Sequence, residues 1–321
     1  MDVDGRVEAW AFLQLVPGLS TDALVTLLKT FGGPIAVRDA SRATLSRCVS
    51  GPIATAIRKG PESAQLERTL AWLATAGHAL VAWDDADYPA ALLAVADPPP
   101  AFYYVGRRDL LNRPALAVVG SRNATAEGIG NAEAFATALS LAGFTIVSGL
   151  SGGVDAAAHR GGLAAAASSI AVVGTGLDRI HPPGNRALAE RLAREGGIVS
   201  EFALGTAPLA ANFPRRNRLI SGLCQGVLIV EATLTSGALG TARLAGAQGR
   251  EVFAIPGSIH SPFSKGSHRL IKEGAKLVET VDDVLDELRH RPGVVPGPSG
   301  NPAGTHATVV VPSGPGRERV R

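Results

Sequence analysis

Residues 212–241 read NFPRRNRLISGLCQGVLIVEATLTSGALGT, and this stretch contains the features that decide the fold. Its apolar run at 227–230 has the length and composition of a strand buried on both faces of a parallel sheet. Small residues at 235–237 then lead into a predicted helix, where hydroxyls and backbone N–H groups suit an anion. The stretch also carries a cluster of basic and amide side chains: Arg215, Arg216, Asn217 and Arg218. It therefore predicts an α/β sheet that binds a phosphate-bearing ligand.

Strand–loop–helix units repeat between residues 114 and 290. The predicted strands lie at 116–119, 145–147, 169–173, 197–200, 227–230 and 251–255. This alternation predicts an α/β domain with a parallel sheet and helices on both faces. Ligands of such sheets bind beyond the carboxyl ends of the strands. Small residues follow five of the strands, at 120–121, 148–149, 174–175, 235–237 and 256–258. We expect the ligand site at this edge, although tight strand-to-helix turns by themselves also require glycine.

The chain divides into three predicted regions. Residues 1–78 read as short helices around a Pro17-Gly18-Leu19 turn, in which Ser20 or Thr21 caps the second helix. This region resembles a sterile-alpha-motif or helix-hairpin-helix module, and a purely structural role is the favoured interpretation. Residues 79–290 form the sheet domain, which begins with a linker that contains strands at 79–83 and 101–105. Residues 291–321 include six prolines and six glycines, a composition that predicts a disordered tail.

Composition excludes several classes of protein. No apolar run approaches the roughly 20 residues of a membrane helix, and the N-terminus lacks a signal-peptide pattern, so we expect a cytoplasmic protein without a membrane partner. Cys48 and Cys224 are too far apart to indicate a zinc or redox motif. The net charge is +3, but residues 205–272 hold eight Lys or Arg against two acids, a local excess of +6. Such an excess steers a phosphate backbone, or simply forms a solvated basic face.

Motifs for nucleotide chemistry are incomplete. Arg179 stands where a dinucleotide fingerprint beginning at Gly174 needs its third glycine, and Lys265 precedes Gly266 instead of following a glycine as in a Walker loop. We therefore predict no cofactor, no metal and no enzyme activity. Asp155 and His159 are spaced to meet on one helix, and the favoured interpretation is a helix-capping aspartate near a polar histidine. Glu231 is a candidate general base, but the favoured interpretation is that its carboxylate binds loop N–H groups or a neighbouring arginine.

An ordered set of motifs resembles the DNA-processing protein family known as DprA or Smf. The motifs lie at 120–122 (GSR), 148–155 (SGLSGGVD), 174–178 (GTGLD), 212–218 (NFPRRNR), 230–232 (VEA) with 236–237 and 241–242, and 256–257 (PG) with 266 and 270–271. Together they cover roughly residues 79–288. The order of the set is far more specific than any one motif, and the helical N-terminal region also fits this family.

The resemblance implies an extended Rossmann-like domain that binds single-stranded DNA without catalysis. It also implies protection of incoming DNA, loading of the RecA recombinase onto that DNA past single-strand-binding protein during natural transformation, single-strand-binding protein as a further partner, and a homodimer. Arg122 and the arginines at 215–218 would hold phosphates, and Phe213 would stack on a base or pack beneath its loop. The full set of candidate DNA-binding residues is Gly120, Ser121, Arg122, Gly149, Asn185, Phe213, Arg215, Arg216, Asn217, Arg218, Ser236, Gly237, Thr241 and Lys265.

Two departures from the family pattern bear on these expectations. Many members carry a lysine near position 183, where this chain has Pro183, and many carry a C-terminal winged-helix module, where this chain has the Pro/Gly-rich tail. The sheet also resembles two other classes: nucleoside-monophosphate phosphoribohydrolases of the LOG family and molybdenum-cofactor carriers. Leu244 occupies the position of the LOG-family glutamate, which argues against hydrolysis. The arginine cluster and the helical region fit a cofactor carrier less well.

Overall fold

The structure is a computed structural model that describes residues 4–289, so the predicted tail at 291–321 lies outside the described residues. Six helices form the N-terminal region: α1 (Gly5–Leu15), α2 (Thr21–Phe31), α3 (Pro34–Asp39), α4 (Arg42–Leu45), α5 (Gly51–Lys59) and α6 (Ser63–Leu73). The prediction of an all-helical N-terminal region is confirmed.

Helix α2 shows why these short helices form. The Ser20 side chain accepts a hydrogen bond from the Ala23 backbone N–H and caps the helix start. Leu24, Leu27 and Leu28 are buried, so one apolar stripe faces the core. Gly32 ends the helix at φ 83°, a left-handed conformation that favours glycine. The start of α2 agrees with the cap predicted at Ser20 or Thr21.

A single nine-stranded sheet follows. Its strands are β1 (His78–Ala82), β2 (Ala101–Gly106), β3 (Ala115–Val119), β4 (Thr145–Ser148), β5 (Ser169–Val172), β6 (Gly197–Ser200), β7 (Gly226–Ile229), β8 (Glu251–Ala254) and β9 (Lys276–Leu277). The spatial order is β1-β2-β6-β5-β4-β3-β7-β8-β9. β2 pairs antiparallel with both β1 and β6, and all other pairs are parallel. The predicted α/β class is confirmed, and among the described strands β2 alone runs opposite to the others.

Helices cover both faces of the sheet, as predicted. The helices are α7 (Ala90–Leu93), α8 (Ala126–Leu141), α9 (Val154–Gly162), α10 (Arg186–Glu195), α11 (Asn212–Gly222), α12 (Ala238–Ala247), α13 (Lys265–Lys272) and α14 (Val281–Arg289). Apolar residues of α11 and α12 share one core with the sheet, while those of α8, α9 and α14 share the core of the opposite face. Within residues 4–289, no helix combines the length and the apolarity needed to cross a bilayer.

Strands β1 and β2 join the helical region to the sheet. Successive side chains of a strand point to opposite faces. Tyr103 therefore packs into the core of the helical region, whereas Phe102 and Tyr104 pack into the core of the sheet. The interpretation of this segment as a linker is wrong, because its two strands are integral to the sheet and to both cores. The division into domains at residue 78 stays a prediction.

The sheet contains a topological switch point between β3 and β7. From β3 the chain moves outward through β4, β5 and β6, and it then returns to place β7 on the other side of β3. The loops that leave β3 and β7 therefore diverge to opposite faces and open a crevice at the carboxyl ends of these strands. Ligands of open α/β sheets bind in a crevice of this kind.

Candidate nucleic-acid interface

A cavity of about 660 Å³ occupies the switch point. Segments after β3, around the start of α9, along α11 and after β7 form its walls. Nine of the candidate residues line it: Gly120, Ser121, Arg122, Phe213, Arg216, Asn217, Ser236, Gly237 and Thr241. The edge predicted from the small-residue loops is thus the edge that carries the cavity. The loops at 174–175 and 256–258 do not contribute lining residues.

The loop between β4 and α9 is held in a sharply bent conformation. Leu150 has φ 57°, which is uncommon for a branched residue. Its backbone N–H donates to His159 Nε2 at 3.2 Å, and its carbonyl accepts from Asn185 Nδ2 at 2.8 Å. Ser151 next to it donates its backbone N–H and its hydroxyl to Asp155. Asn185 therefore positions this loop and does not line the cavity.

Asp155 and His159 do not form the pair that their spacing suggested. Gly153 is the residue that precedes α9, and Asp155 lies in the first turn, so the prediction of an aspartate at the cap position is wrong. His159 Nδ1 instead lies 2.8 Å from Ser169 Oγ. Burial, together with the charge of Arg216, lowers the pKa of His159 to about 3, which keeps its ring neutral. Both side chains serve the loop and not a catalytic dyad.

The buried His159 should make folding stability depend on pH. Its folded-state pKa of about 3 lies below the ordinary 6.5, so between these values the unfolded chain binds a proton that the folded chain does not. This contribution is complete above the ordinary pKa and is lost as the pH falls, by about 2 kcal/mol near pH 5. Urea unfolding followed by tryptophan fluorescence, near pH 5 and at a pH above the ordinary pKa, measures this loss of stability. His159→Gln should flatten the dependence and the exposed His260→Gln should not; equal slopes would refute the assignment.

Glu231 organises the loop that follows β3. Its carboxylate accepts from the Thr125 backbone N–H at 3.0 Å and from the Thr125 hydroxyl at 2.6 Å, and Thr125 in turn caps α8. Its backbone carbonyl accepts from the Ser121 N–H at 2.7 Å. Gly128 has no room for a side chain because a Cβ would meet this carboxylate. The interpretation of Glu231 as a holder of loop N–H groups is confirmed.

Helix α11 begins at Asn212 and includes the arginine cluster. Proline at 214 is compatible with this start because the first turn of a helix tolerates proline. Consecutive side chains on a helix point about 100° apart. The cluster is therefore divided between two sides of α11, and its arginines do not all face the same cavity.

Arg216 turns toward the cavity. The residue is 4% exposed, and its Nη1 donates to the Val172 carbonyl at 3.0 Å. Burial lowers its pKa to about 10; the charge of Asp155 opposes this shift and that of Arg122 adds to it, and the guanidinium remains positive near neutral pH. Its Nε has no hydrogen-bond partner among the described residues. Gly149 passes so close to this guanidinium that a Cβ there would collide with it.

Arg215 and Arg218 lie on the other side of α11 and line a separate cleft beside the helical region. Both bind the buried carboxylate of Glu201, which follows β6, and Arg215 Nη2 lies 3.0 Å from Glu201 Oε1. Arg215 also reaches the Thr21 hydroxyl at the start of α2. These two arginines therefore connect α11 to Glu201 and to the helical region, away from the cavity at the switch point.

The rim of the cavity combines an aromatic ring with a cation. Arg122 is exposed, and its Cζ lies 5.3 Å from the centre of the half-buried Phe213 ring. The His181 ring centre is 6.2 Å from the same ring. Lys265 is exposed and donates to the Ile259 carbonyl, outside the residues that line the cavity. The Arg122–Phe213 pair offers both a charge for phosphate and a face for stacking.

Sequence reasoning did not identify several lining residues. Hydroxyl groups of Ser151 and Thr233 belong to this set, as do Asn123 and Phe263. A usable sequence signal exists for Ser151, because glycine or serine occupies four of the five positions at 149–153, directly after a strand. Phe263 had none, since only the packing of the 262–264 turn against the backbone of Ala232 brings it to the cavity.

The cavity holds little that resembles a catalytic apparatus. Leu244 lines it at the position where the LOG family has a glutamate, and Asp155 is the one carboxylate residue among the described lining residues. Within residues 4–289, no group of three or more potential metal ligands is found. The donors that converge are arginines, hydroxyls and backbone N–H groups, which bind anions.

Comparisons with known proteins agree with this geometry. The family model for DNA recombination-mediator protein A matches residues 79–289. Protein Smf of Escherichia coli is 48% identical over 225 residues, which cover 70% of this chain and 60% of the relative. Putative DNA processing protein DprA of Mycobacterium tuberculosis is 33% identical over 301 residues, covering 90% and 76%.

Two solved structures share the fold. DNA processing protein A from Streptococcus pneumoniae superposes with a TM-score of 0.77 at 35% identity, covering 89% of this chain and 99% of that one. DNA processing protein A from Helicobacter pylori, solved for its single-stranded DNA binding mode, gives a TM-score of 0.60 at 29% identity, covering 66% and 95%. The resemblance inferred from the motifs is confirmed, and the chain belongs to the DNA recombination-mediator protein A family.

Proposed function

We propose that this chain binds single-stranded DNA at the switch-point cavity. The observation that carries the proposal is the convergence of Arg122 and Arg216, from two separate elements, on a cavity rimmed by hydroxyls and loop N–H groups. Binding without sequence preference needs cations that follow the phosphates and a surface on which bases stack. The Phe213 ring beneath Arg122 supplies that surface. The H. pylori relative, solved for its single-stranded DNA binding mode, supports the same ligand class.

The cellular role follows from the family. We propose that the chain loads the RecA recombinase onto incoming single strands during natural transformation, in place of single-strand-binding protein, and that it acts as a homodimer in the cytoplasm. The family name, recombination mediator, and the DNA-processing names of the relatives support this role. The chain spans 60% of the length of the E. coli relative, so these partners belong to the proposal.

We propose a binding function and not an enzymatic one. Phosphoribohydrolysis needs an acid at the sugar, and Leu244 lies where that acid would stand. Release of free base from nucleoside monophosphates by the purified chain would contradict this assignment. Metal dependence of DNA binding would also contradict it.

Arg122→Ala tests the proposed site. We expect the wild-type chain to bind a labelled single strand with an affinity that falls steeply as salt rises. Loss of one phosphate contact should weaken binding about tenfold on every sequence and reduce the salt slope by about 0.7. Fluorescence anisotropy across a salt series measures both quantities.

The matched control for this titration is Arg191→Ala. Arg191 is an arginine outside the cavity whose Nε donates to Glu195 on the same helix. Its removal should leave affinity within about twofold, since screened surface pairs contribute little. Salt-independent binding by the wild-type chain, or equal losses in the two variants, would count against the proposed site.

A further inference from the structure

The cavity has the dimensions of a small-molecule site. Its volume of about 660 Å³ lies within the range of sites that enclose one compact ligand. A groove that merely follows a backbone needs no enclosed floor. Here exposed side chains such as Arg122 and Asn123 lie at the rim, whereas Arg216 and Thr241 are buried and still line the space. The site is therefore deep enough to admit a whole phosphate group, and not only one oxygen of a phosphate at the rim.

The buried cation on the floor of the cavity makes no direct ion pair. Among the described residues, no carboxylate lies within 4.0 Å of the Arg216 guanidinium: the charge of Asp155 acts on it from farther away, and Asp155 Oδ2 accepts from Ser151. A buried cation without a direct ion pair is costly unless a ligand completes it, and the Arg216 Nε has no hydrogen-bond partner among the described residues. Hydroxyls of Ser121, Ser236 and Thr241 line the same cavity. An arginine of this kind favours phosphate, because its fork donates to two oxygens.

The depth of Arg216 discriminates between kinds of phosphate. An internal phosphodiester reaches the floor only if the nucleotides on both sides of it also enter. A terminal phosphate needs only one nucleotide to enter with it. Its second ionisation, with a pKa of about 6, gives it more negative charge than a diester. The Phe213 ring at the cavity wall accommodates the single base that follows. One nucleotide with a free phosphate therefore fits both the volume and the charge.

We propose that the Arg216 floor binds the terminal phosphomonoester of a DNA strand, so that this chain recognises strand ends and binds mononucleotides. The proposal rests on the proposed function, since it assumes that the cavity is the nucleic-acid site. It assigns separate tasks to the two arginines: Arg122 contacts the backbone at the rim, and Arg216 contacts the end.

The experiment compares strands that differ only at their ends. Four competitors of equal length and sequence are used: 5′-phosphorylated, 3′-phosphorylated, unphosphorylated, and circular. Each displaces a labelled strand from the full-length chain at one low salt concentration. We expect one of the phosphorylated strands to bind at least about tenfold more tightly than the unphosphorylated and circular strands, which is the effect of a charged hydrogen bond. Calorimetry should detect the binding of thymidine 5′-monophosphate or thymidine 3′-monophosphate but not the binding of thymidine.

Two variants locate the effect. Arg216→Met should abolish the preference for a phosphorylated end, whereas Arg243→Ala, an exposed arginine of α12 outside the cavity, should keep it. The comparison among strands on the wild-type chain remains decisive even if the Arg216 variant folds poorly.

The outcomes separate the two proposals. Equal binding of all four strands would overturn end recognition and leave single-strand binding intact. Binding of a mononucleotide without binding of any strand would support the Arg216 site and overturn the proposed function. Competition by inorganic phosphate as strong as that by the mononucleotide would show a simple anion site and overturn end recognition.

Discussion

Arg216→Met should weaken the binding of a single strand with a phosphorylated end by about 10- to 100-fold while leaving the protein as stable as before, or more stable by up to about 2 kcal/mol. Burial lowers the pKa of Arg216 to about 10 against the opposing charge of Asp155, so the charged form of this side chain is disfavoured in the folded chain. Methionine fills a similar volume without a charge, so its desolvation cost disappears. The one hydrogen bond lost is that to the Val172 carbonyl. Function and stability should therefore change in opposite directions.

Two measurements on the same preparations check this prediction. Urea unfolding gives the free energy of unfolding, and anisotropy with a labelled strand gives the affinity. Arg243→Ala is the matched control, and both of its values should stay near those of the parent. A loss of more than about 2 kcal/mol in Arg216→Met would show that the arginine is part of the scaffold. Unchanged affinity would remove it from the binding site.

Glu201→Gln should lower the free energy of unfolding by about 3 kcal/mol, because breaking a buried ion pair from one side leaves cations without a partner. The Glu201 side chain is 4% exposed, and it binds both Arg215 and Arg218. Arg218 is also largely buried, so its charge cannot be fully hydrated after the change. Arg215 additionally contacts Thr21, so the substitution should loosen the helical region as well as α11.

The control for this second prediction is Glu195→Gln. Glu195 pairs with Arg191 on the surface of α10, with both side chains more than a third exposed. Such a pair contributes about 0.5 kcal/mol or less. Urea unfolding of the two variants should therefore distinguish the buried ion pairs of Glu201 from the surface ion pair of Glu195. Equal losses, or a reduction of DNA affinity by Glu201→Gln at full stability, would argue that Arg215 and Arg218 act in binding after all.

Much of the fold was predictable because its patterns are local. Small-residue loops after apolar runs predicted a parallel sheet and the edge that carries the cavity, and Ser20 predicted the start of α2. Strands β1 and β2 were predicted as segments but not as members of the sheet. Their pairing is antiparallel and joins β2 to β6, some 90 residues later, which no local pattern reveals.

The sequence by itself determined the family, the order of the elements and the presence of arginines near the sheet edge that carries the cavity. It could not determine which arginine faces that edge. Arg215, Arg216 and Arg218 are equivalent in the sequence, yet consecutive side chains of a helix point about 100° apart. Glu201, contributed by the end of β6, then binds the two that face the helical region. Only Arg216 of the three lines the cavity, because its side chain turns toward Val172 and Asp155 and away from Glu201.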